Sequence, residues 1–418
     1  MNFEKIKKYY TENKLIANCI LLAILFFVNC FVGNFSYFVF FVLAVMVAFA
    51  DAKNGFSMLV FSIPFCAIDQ YVSVILLFIC ILIFLIKAYI KLFFVDKKKP
   101  SLPVLITSLL FLIYAVLPFG EYNGQWAIKL LIIILLVLLL NLFINYTEIL
   151  NLKFNLDLLA VALIISSAFY LTYFISPHLQ EMPVSSMNDT FIRFSALLLN
   201  PNALAMVCEI CLSLLTIFLL HGKFEWTEII SYVIFYVLGL STFSKTFLIL
   251  SSILVLIMFV YLLNKYKMKM IAPICIICGI IILAVIFKGD FVLTYLKRFI
   301  GGWNSSYSSY EYVLDIMTTG RYNLWTTVLD YMFVNPEVLF FGRGLGAPLI
   351  ASLSAHNFYI SLIYELGIVG ALLFISMFVA LIVEHKKKNN AKFYKAYLVP
   401  LATICMLMMV EDLFLYIY

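Results

Sequence analysis

The chain has 418 residues, 65% of them hydrophobic and 12% charged, with a mean hydropathy of +1.09. That much apolar surface exceeds what a soluble core could hide, which excludes a water-soluble globular protein. The formal net charge of +6 is scattered through short segments between apolar runs, which excludes a nucleic-acid surface.

Runs of about 20 apolar residues recur from end to end, each long enough to cross a bilayer core of roughly 30 Å. Backbone groups in hydrocarbon must pair within their own segment, so these runs are predicted to be helices. The alternating ten-residue segments of a β-barrel do not occur. The expectation is an all-α polytopic integral membrane protein, one transmembrane domain over residues 1–418. No cleavable signal peptide is expected, since the first apolar run is long and no A-x-A-like site follows it.

In chain order, spans are predicted at 15–33, 35–51, 56–73, 74–94, 104–119, 126–145, 155–176, 203–220, 226–242, 245–263, 269–287, 357–383 and 397–416, thirteen in all. The third and fourth are open to a broken or re-entrant form, because Pro64 and the pair Asp69-Gln70 interrupt them. Alternate loops placed in the cytoplasm collect Lys53, Lys87 to Lys99, Lys153, Lys223, Lys265 to Lys269 and Lys386 to Lys395. With the N-terminus these make 20 of the 28 basic residues. Shifting the register by one span would put these clusters outside, against the positive-inside bias, so the N-terminus is read as cytoplasmic. The nine cysteines lie in or beside apolar runs. Cys208–Cys211 and Cys275–Cys278 have CxxC spacing without the flanking ligands of a metal site, and are read as packing residues.

The four arginines, Arg193, Arg298, Arg321 and Arg343, all fall on the outer side in this topology. Arginine presents a planar fork that binds carboxylate or phosphate oxygens through two hydrogen bonds. Its confinement to one face points to an anionic ligand there; a lysine-rich, AT-biased composition is the alternative explanation. Two outer loops are long, 176–202 and 288–356. Within the second, RYNLWTTVLDYMFV carries apolar residues at 324, 325, 328, 329, 332 and 333, a helical stripe predicted to lie along the membrane surface and to end at Asn335-Pro336.

Candidate chemistry gathers on that side. Arg193 precedes Asn200-Pro201-Asn202, which caps the helix starting near 203 and would offer free N–H groups to an anion; a capped helix with a snorkelling arginine is the plainer reading. Lys245, among Ser241, Thr242, Ser244 and Thr246, suits a phosphate group or an interfacial anchor equally. Arg321 opens the surface helix, and Arg343 sits in FGRGLG, whose glycines are expected to leave the backbone accessible. His356 is the sharpest candidate base, set apart from His178, His221 and His385 by Asn357, the glycine loop before it and Glu365 two turns on. Glu209 is an acid inside an apolar span, paired with an outer cation or marking a proton pathway. Tyr307, Tyr310, Tyr312, Tyr322 and Trp325 would stack on sugar rings or form an interfacial aromatic belt.

In this order, RFSALLLNPNALA (193–205), LSTFSKTFLIL (240–250), TGRYNLW with NPEVLFFGRGLG (319–346) and HNFYISLIYELGIVG (356–370) resemble the O-antigen polymerase/ligase family of bacterial envelope biogenesis. The resemblance covers the second half of the chain; the first half matches only as hydrophobic spans. It implies a GT-C-type glycosyltransferase bundle, independent of metal and of any cofactor. Its donor and acceptor would be oligosaccharides linked to undecaprenyl pyrophosphate, joined with inversion on the outer side of the bacterial cytoplasmic membrane. Further partners would be membrane lipids, a flippase and chain-length regulators, with no nucleic acid. By the same resemblance Arg321, Arg193 and His356 would be catalytic. Lys245, Arg343, Asn202, Asn357, Tyr322 and Trp325 would bind substrate, with Glu365 and Glu209 in support. One departure is Lys245, where many members carry arginine: it keeps the charge and loses the fork. Arg343 is a second, at a position not expected to be cationic. A ligase of the same family is the close alternative. A transporter or flippase is the alternative of another class, set against the absence of an internal repeat.

Overall fold

The computed structural model describes residues 13–68, 71–97, 101–117, 124–145, 151–180, 193–198, 200–220, 225–266, 318, 321–347, 356–388, 400 and 403–408. Within them all regular structure is helical and no strand occurs. The principal helices are α1 (Lys14–Asn29), α2 (Ser36–Phe49), α3 (Ala52–Ser62), α4 (Tyr71–Ile90), α5 (Leu102–Val116), α6 (Gly124–Asn145), α7 (Leu152–Tyr170), α8 (Pro201–Leu220), α9 (Trp226–Ser241), α10 (Lys245–Tyr266), α11 (Arg321–Val334), α12 (Pro336–Phe341) and α13 (Phe358–Lys388).

Four stretches, Val72–Val95, Leu152–Phe174, Pro201–Phe218 and Phe358–Lys387, are long and apolar enough to cross a membrane. Six shorter apolar helices accompany them. Large apolar side chains stand outward along these helices: Phe41 is 65% exposed, Ile86 53% and Val233 55%. Such a surface belongs in hydrocarbon, where an outward apolar side chain costs nothing. The third expected span takes a different form. α3 has 11 residues and runs into a 3-10 turn at Ile63–Phe65 containing Pro64, so at 1.5 Å per residue it covers only about half the hydrocarbon core. The expected spans at 269–287 and most of 397–416 lie outside the described residues, as do Tyr307, Tyr310, Tyr312, Arg298 and Cys275–Cys278.

The helices pack into units with separate cores. The first joins α1 to α4 with parts of α6 and α7, around Leu22, Phe26, Phe40, Phe65 and Phe84; the Phe26 and Phe65 rings stack at 4.5 Å. Small polar groups tie it at one end, with Asn29 Nδ2 donating to Ser36 Oγ at 2.8 Å and Ser73 Oγ bonding the same hydroxyl at 3.0 Å. Lys87 donates to the Ala48 carbonyl at 2.7 Å and also to that of Ala50, placing a cation at the negative end of α2.

The second unit is α7 to α10 with the 3-10 turn Ala196–Leu198, around Leu163, Leu204, Leu212, Phe235 and Phe247. Here Gly239 lets the Phe247 ring lie where its Cβ would be, and Cys208 and Cys211 are buried packing groups. The third unit joins α5, α6 and α13, and the fourth packs α11 and α12 on α13. α11 buries Val328 and Met332 of the anticipated stripe, while Phe333 is 69% exposed. α11 gives way at Asn335, and Pro336 opens α12.

Candidate functional site

The first group forms where α8, α9 and α10 meet. Pro201 stands at the first position of α8, where its missing N–H is no loss, and Asn200 Oδ1 accepts from Asn202 N at 2.9 Å. α9 ends at Ser241. Thr242 then turns the chain, its hydroxyl donating to the Gly239 carbonyl at 2.7 Å and accepting from Ser244 N at 3.2 Å, before α10 opens on Lys245.

Arg193 closes this corner. Its Nε donates to the Thr242 carbonyl at 2.9 Å and its Nη2 to Asn202 Oδ1 at 2.6 Å, while Phe194 N bonds the Ser241 carbonyl at 3.2 Å. The arginine is only 8% exposed. Two motifs almost 50 residues apart in sequence thus hold one guanidinium beside two helix N-termini, the ends where N–H groups and the helix dipole favour an anion.

The second group is built on a break in α13. Gly367 has φ 67° and ψ −180°, so the helical ladder fails there. The carbonyls of Tyr364 and Glu365, which an unbroken helix would use, instead accept from Arg343 N and Gly344 N, each at 2.9 Å. The fit is tight on both sides. A Cβ on Gly367 would lie 2.3 Å from the Phe340 carbonyl oxygen, and one on Gly342 (φ +82°) 2.3 Å from that of Glu365. The glycines of FGRGLG therefore bring this backbone against α13 rather than leaving it open.

Side chains complete the junction. Glu365 accepts from Gly346 N at 2.8 Å through Oε2 and pairs with Lys129 Nζ of α6 at 2.5 Å through Oε1, with both side chains buried. Arg343 Nη1 donates to the Tyr364 hydroxyl at 2.8 Å, and its guanidinium lies 5.9 Å and 5.8 Å from the Tyr331 and Tyr364 ring centres. Tyr114 donates to the Phe341 carbonyl at 3.0 Å.

The remaining candidates sit around these groups. Asn357 is buried as the cap of α13, its Oδ1 accepting from Tyr359 N at 3.0 Å and Ile360 N at 3.2 Å. His356 precedes it, half-buried, with φ 46°. Arg321 is the half-buried first residue of α11, and Thr318 Oγ1 accepts from Tyr322 N at 3.0 Å. Tyr322 and Trp325 are half-buried, and Trp325 packs on the core that holds Tyr364. Glu209 lies on α8 within the second core, fully buried.

The structure thus joins Arg193 and Asn202 directly, with Lys245 at the adjoining helix start, and it joins Arg343 to Tyr364, and Glu365 to Gly344 and Gly346 of the same loop, on the helix that His356 and Asn357 open. Arg321, Tyr322 and Trp325 ride on α11, packed on that same helix. The two groups rest in different cores, with no residue shared between them.

Lys129, Tyr114, Tyr364 and Gly367 were not among the sequence candidates. A signal for Lys129 existed: it is the one charged residue in 126–145, and Glu365 the one in 357–383, and lone opposite charges inside apolar spans tend to find each other. Comparison of the chain with family models, with curated proteins and with solved structures finds no match.

Proposed function

We propose that the protein is a polysaccharide polymerase of the bacterial cytoplasmic membrane, a polytopic GT-C-type glycosyltransferase. It would transfer a glycan from undecaprenyl pyrophosphate to the hydroxyl of another lipid-linked repeat unit outside the membrane. The observation that carries the reading is the Arg193 corner: a buried guanidinium held between Thr242 and Asn202, beside the start of α8 and that of α10, which opens on Lys245. A pyrophosphate needs fixed positive charge and N–H donors in a site with little water, and this corner unites two of the four stretches that carry the family resemblance.

In the proposed reaction the acceptor oxygen attacks the anomeric carbon. The bond from that carbon to the pyrophosphate oxygen breaks with inversion, and the hydroxyl proton passes to His356. Charge building on the leaving pyrophosphate is met by Arg193, Lys245 and Arg321. Arg343, Tyr322, Trp325 and Asn357 would border the glycan, and Glu365 would hold the loop that carries Arg343. No cofactor or metal takes part in this scheme. A ligase that passes finished glycan to another acceptor uses the same chemistry.

The broken helix at Gly367 beside the buried Lys129–Glu365 pair favours a second reading, since interrupted helices with charged groups within the bilayer are a transporter feature.

Complementation of a deletion strain tests the choice. Wild type, Arg321→Ala, Arg193→Ala and His356→Ala are compared at equal membrane levels, with envelope glycan resolved by size. A polymerase leaves single lipid-linked repeat units in the deletion strain, and the variants fail to restore long chains. Long lipid-linked glycan in the deletion strain would mark a ligase. Normal polymer from every variant would remove these residues from the site.

A further inference from the structure

Three helices that begin on the same side of the bundle frame a groove in its first unit. α1 and α7 both pack on α3. Asn18 Nδ2 donates to Met58 Sδ at 3.5 Å, the Phe26 and Phe65 rings stack at 4.5 Å, and Ser166 Oγ donates to the Pro64 carbonyl at 3.2 Å. These contacts set the three helices parallel and nearly in register. Between α1 and α7 lies a cavity of about 590 Å³ whose lining side chains are all apolar, with Phe61 of α3 as its floor. Its walls are open to lipid: Ile20 is 57% exposed and Val161 48%.

The shortness of α3 gives the groove a blind end. Where α3 stops at Ser62 and turns through Pro64, the Phe65 ring lies 6.1 Å from that of Phe169, and Phe169 meets Phe27 across the groove at 5.0 Å. From Leu15 at the mouth to Phe27 is twelve residues, about 18 Å of helix. One leaflet supplies about 15 Å of a hydrocarbon core of roughly 30 Å. The groove therefore matches a chain from a single leaflet, and a chain long enough to cross the whole core would run into the rings.

The mouth is basic. α1 opens on Lys14, and Lys53 and Lys153 are the second residues of α3 and α7. A cation in the first turn works against the helix dipole, so the helices themselves gain nothing from these positions. Lys153 is engaged by Glu225 and Glu228 of α9 at 2.7 Å and 2.6 Å, and the Asp51 carboxylate accepts from Asn54 N and Nδ2. Lys14 and Lys53 are exposed at the level of the mouth. The positive-inside reading sets them at the cytoplasmic leaflet, whose surface carries anionic lipid.

We propose that this groove binds an anionic glycerophospholipid of that leaflet. One acyl chain lies between α1 and α7 as far as Phe27, and Lys14 and Lys53 hold the phosphate. The site is independent of the glycosyl-transfer reading.

The full-length protein is reconstituted in phosphatidylcholine liposomes containing a little phosphatidylglycerol with a diazirine at the end of one chain. Photolysis is expected to label peptides holding Phe27 or Phe169 well above those holding Phe41, a lipid-facing control on α2 that is 65% exposed. Unlabelled phosphatidylglycerol should compete roughly tenfold better than phosphatidylcholine, as two lysines beside an anionic headgroup allow. Lys14→Gln with Lys53→Gln should abolish that preference. Ile20 and Val161 stand seven and eight residues from the Phe27–Phe169 contact on opposite walls. Ile20→Trp with Val161→Trp should therefore fill the groove and remove the enhanced label without lowering the melting temperature. Label spread evenly over Phe27, Phe169 and Phe41 in wild type overturns the proposal, and that measurement needs no variant. Equal competition by the two lipids, or competition by undecaprenyl phosphate alone, overturns the assignment of the occupant. Disulfide cross-linking of two copies through Val161→Cys does so as well, in favour of a second copy of the chain.

Discussion

Lys129 and Glu365 meet at 2.5 Å with both side chains buried. Removing one partner of such a pair leaves an uncompensated buried charge, at a cost of about 3–5 kcal/mol. Lys129→Met is therefore expected to lower the thermal unfolding temperature in detergent substantially, and Lys129→Met with Glu365→Gln to recover most of the loss. A single variant that melts with wild type would show the pair to be dispensable. Arg193 poses a different question, because its two hydrogen bonds go to partners on separate elements. Arg193→Lys keeps the charge but cannot span both partners. Its melting should stay within a few degrees of wild type while glycan polymer falls well below it; full polymer would mean that charge alone suffices.

At the scale of the element, the break in α13 and the 340–346 segment are one object. Each supplies the hydrogen bonds the other lacks, as backbone groups away from water require. Gly367→Ala and Gly342→Ala each force a methyl to within 2.3 Å of a backbone oxygen at positive φ, a strain of order 1–3 kcal/mol. Both should unfold earlier and be cleaved faster by protease near 340–346. Gly55 in α3 is the contrast, since a Cβ there meets nothing nearer than 3.7 Å. Gly55→Ala should stabilise α3 by roughly 0.5–1 kcal/mol, because alanine loses less backbone freedom in a helix. A melting temperature unchanged by either kind of substitution would contradict the packing described.

For the whole molecule, the prediction concerns which side each helix end faces. On the positive-inside reading, a fluorescent reporter fused after Lys97 should fold in the cytoplasm, and a phosphatase fused after Gln180 should be active outside it. The opposite pattern would place the Arg193 corner on the cytoplasmic side and remove the polymerase reading.

The helical membrane character needed only the sequence. Its cause is local, because long apolar runs have no other way to satisfy their backbone in lipid. The capping at Asn200-Pro201-Asn202 and the stop at Asn335-Pro336 were legible for the same reason: each depends on residues within one turn. The union of Arg193 with Thr242, the pairing of Lys129 with Glu365 across 236 residues and the interlock of Gly367 with Gly342 were decided only by tertiary structure. A lone charge or glycine in an apolar run states a need without naming the partner, and the partner is set by which helices pack together.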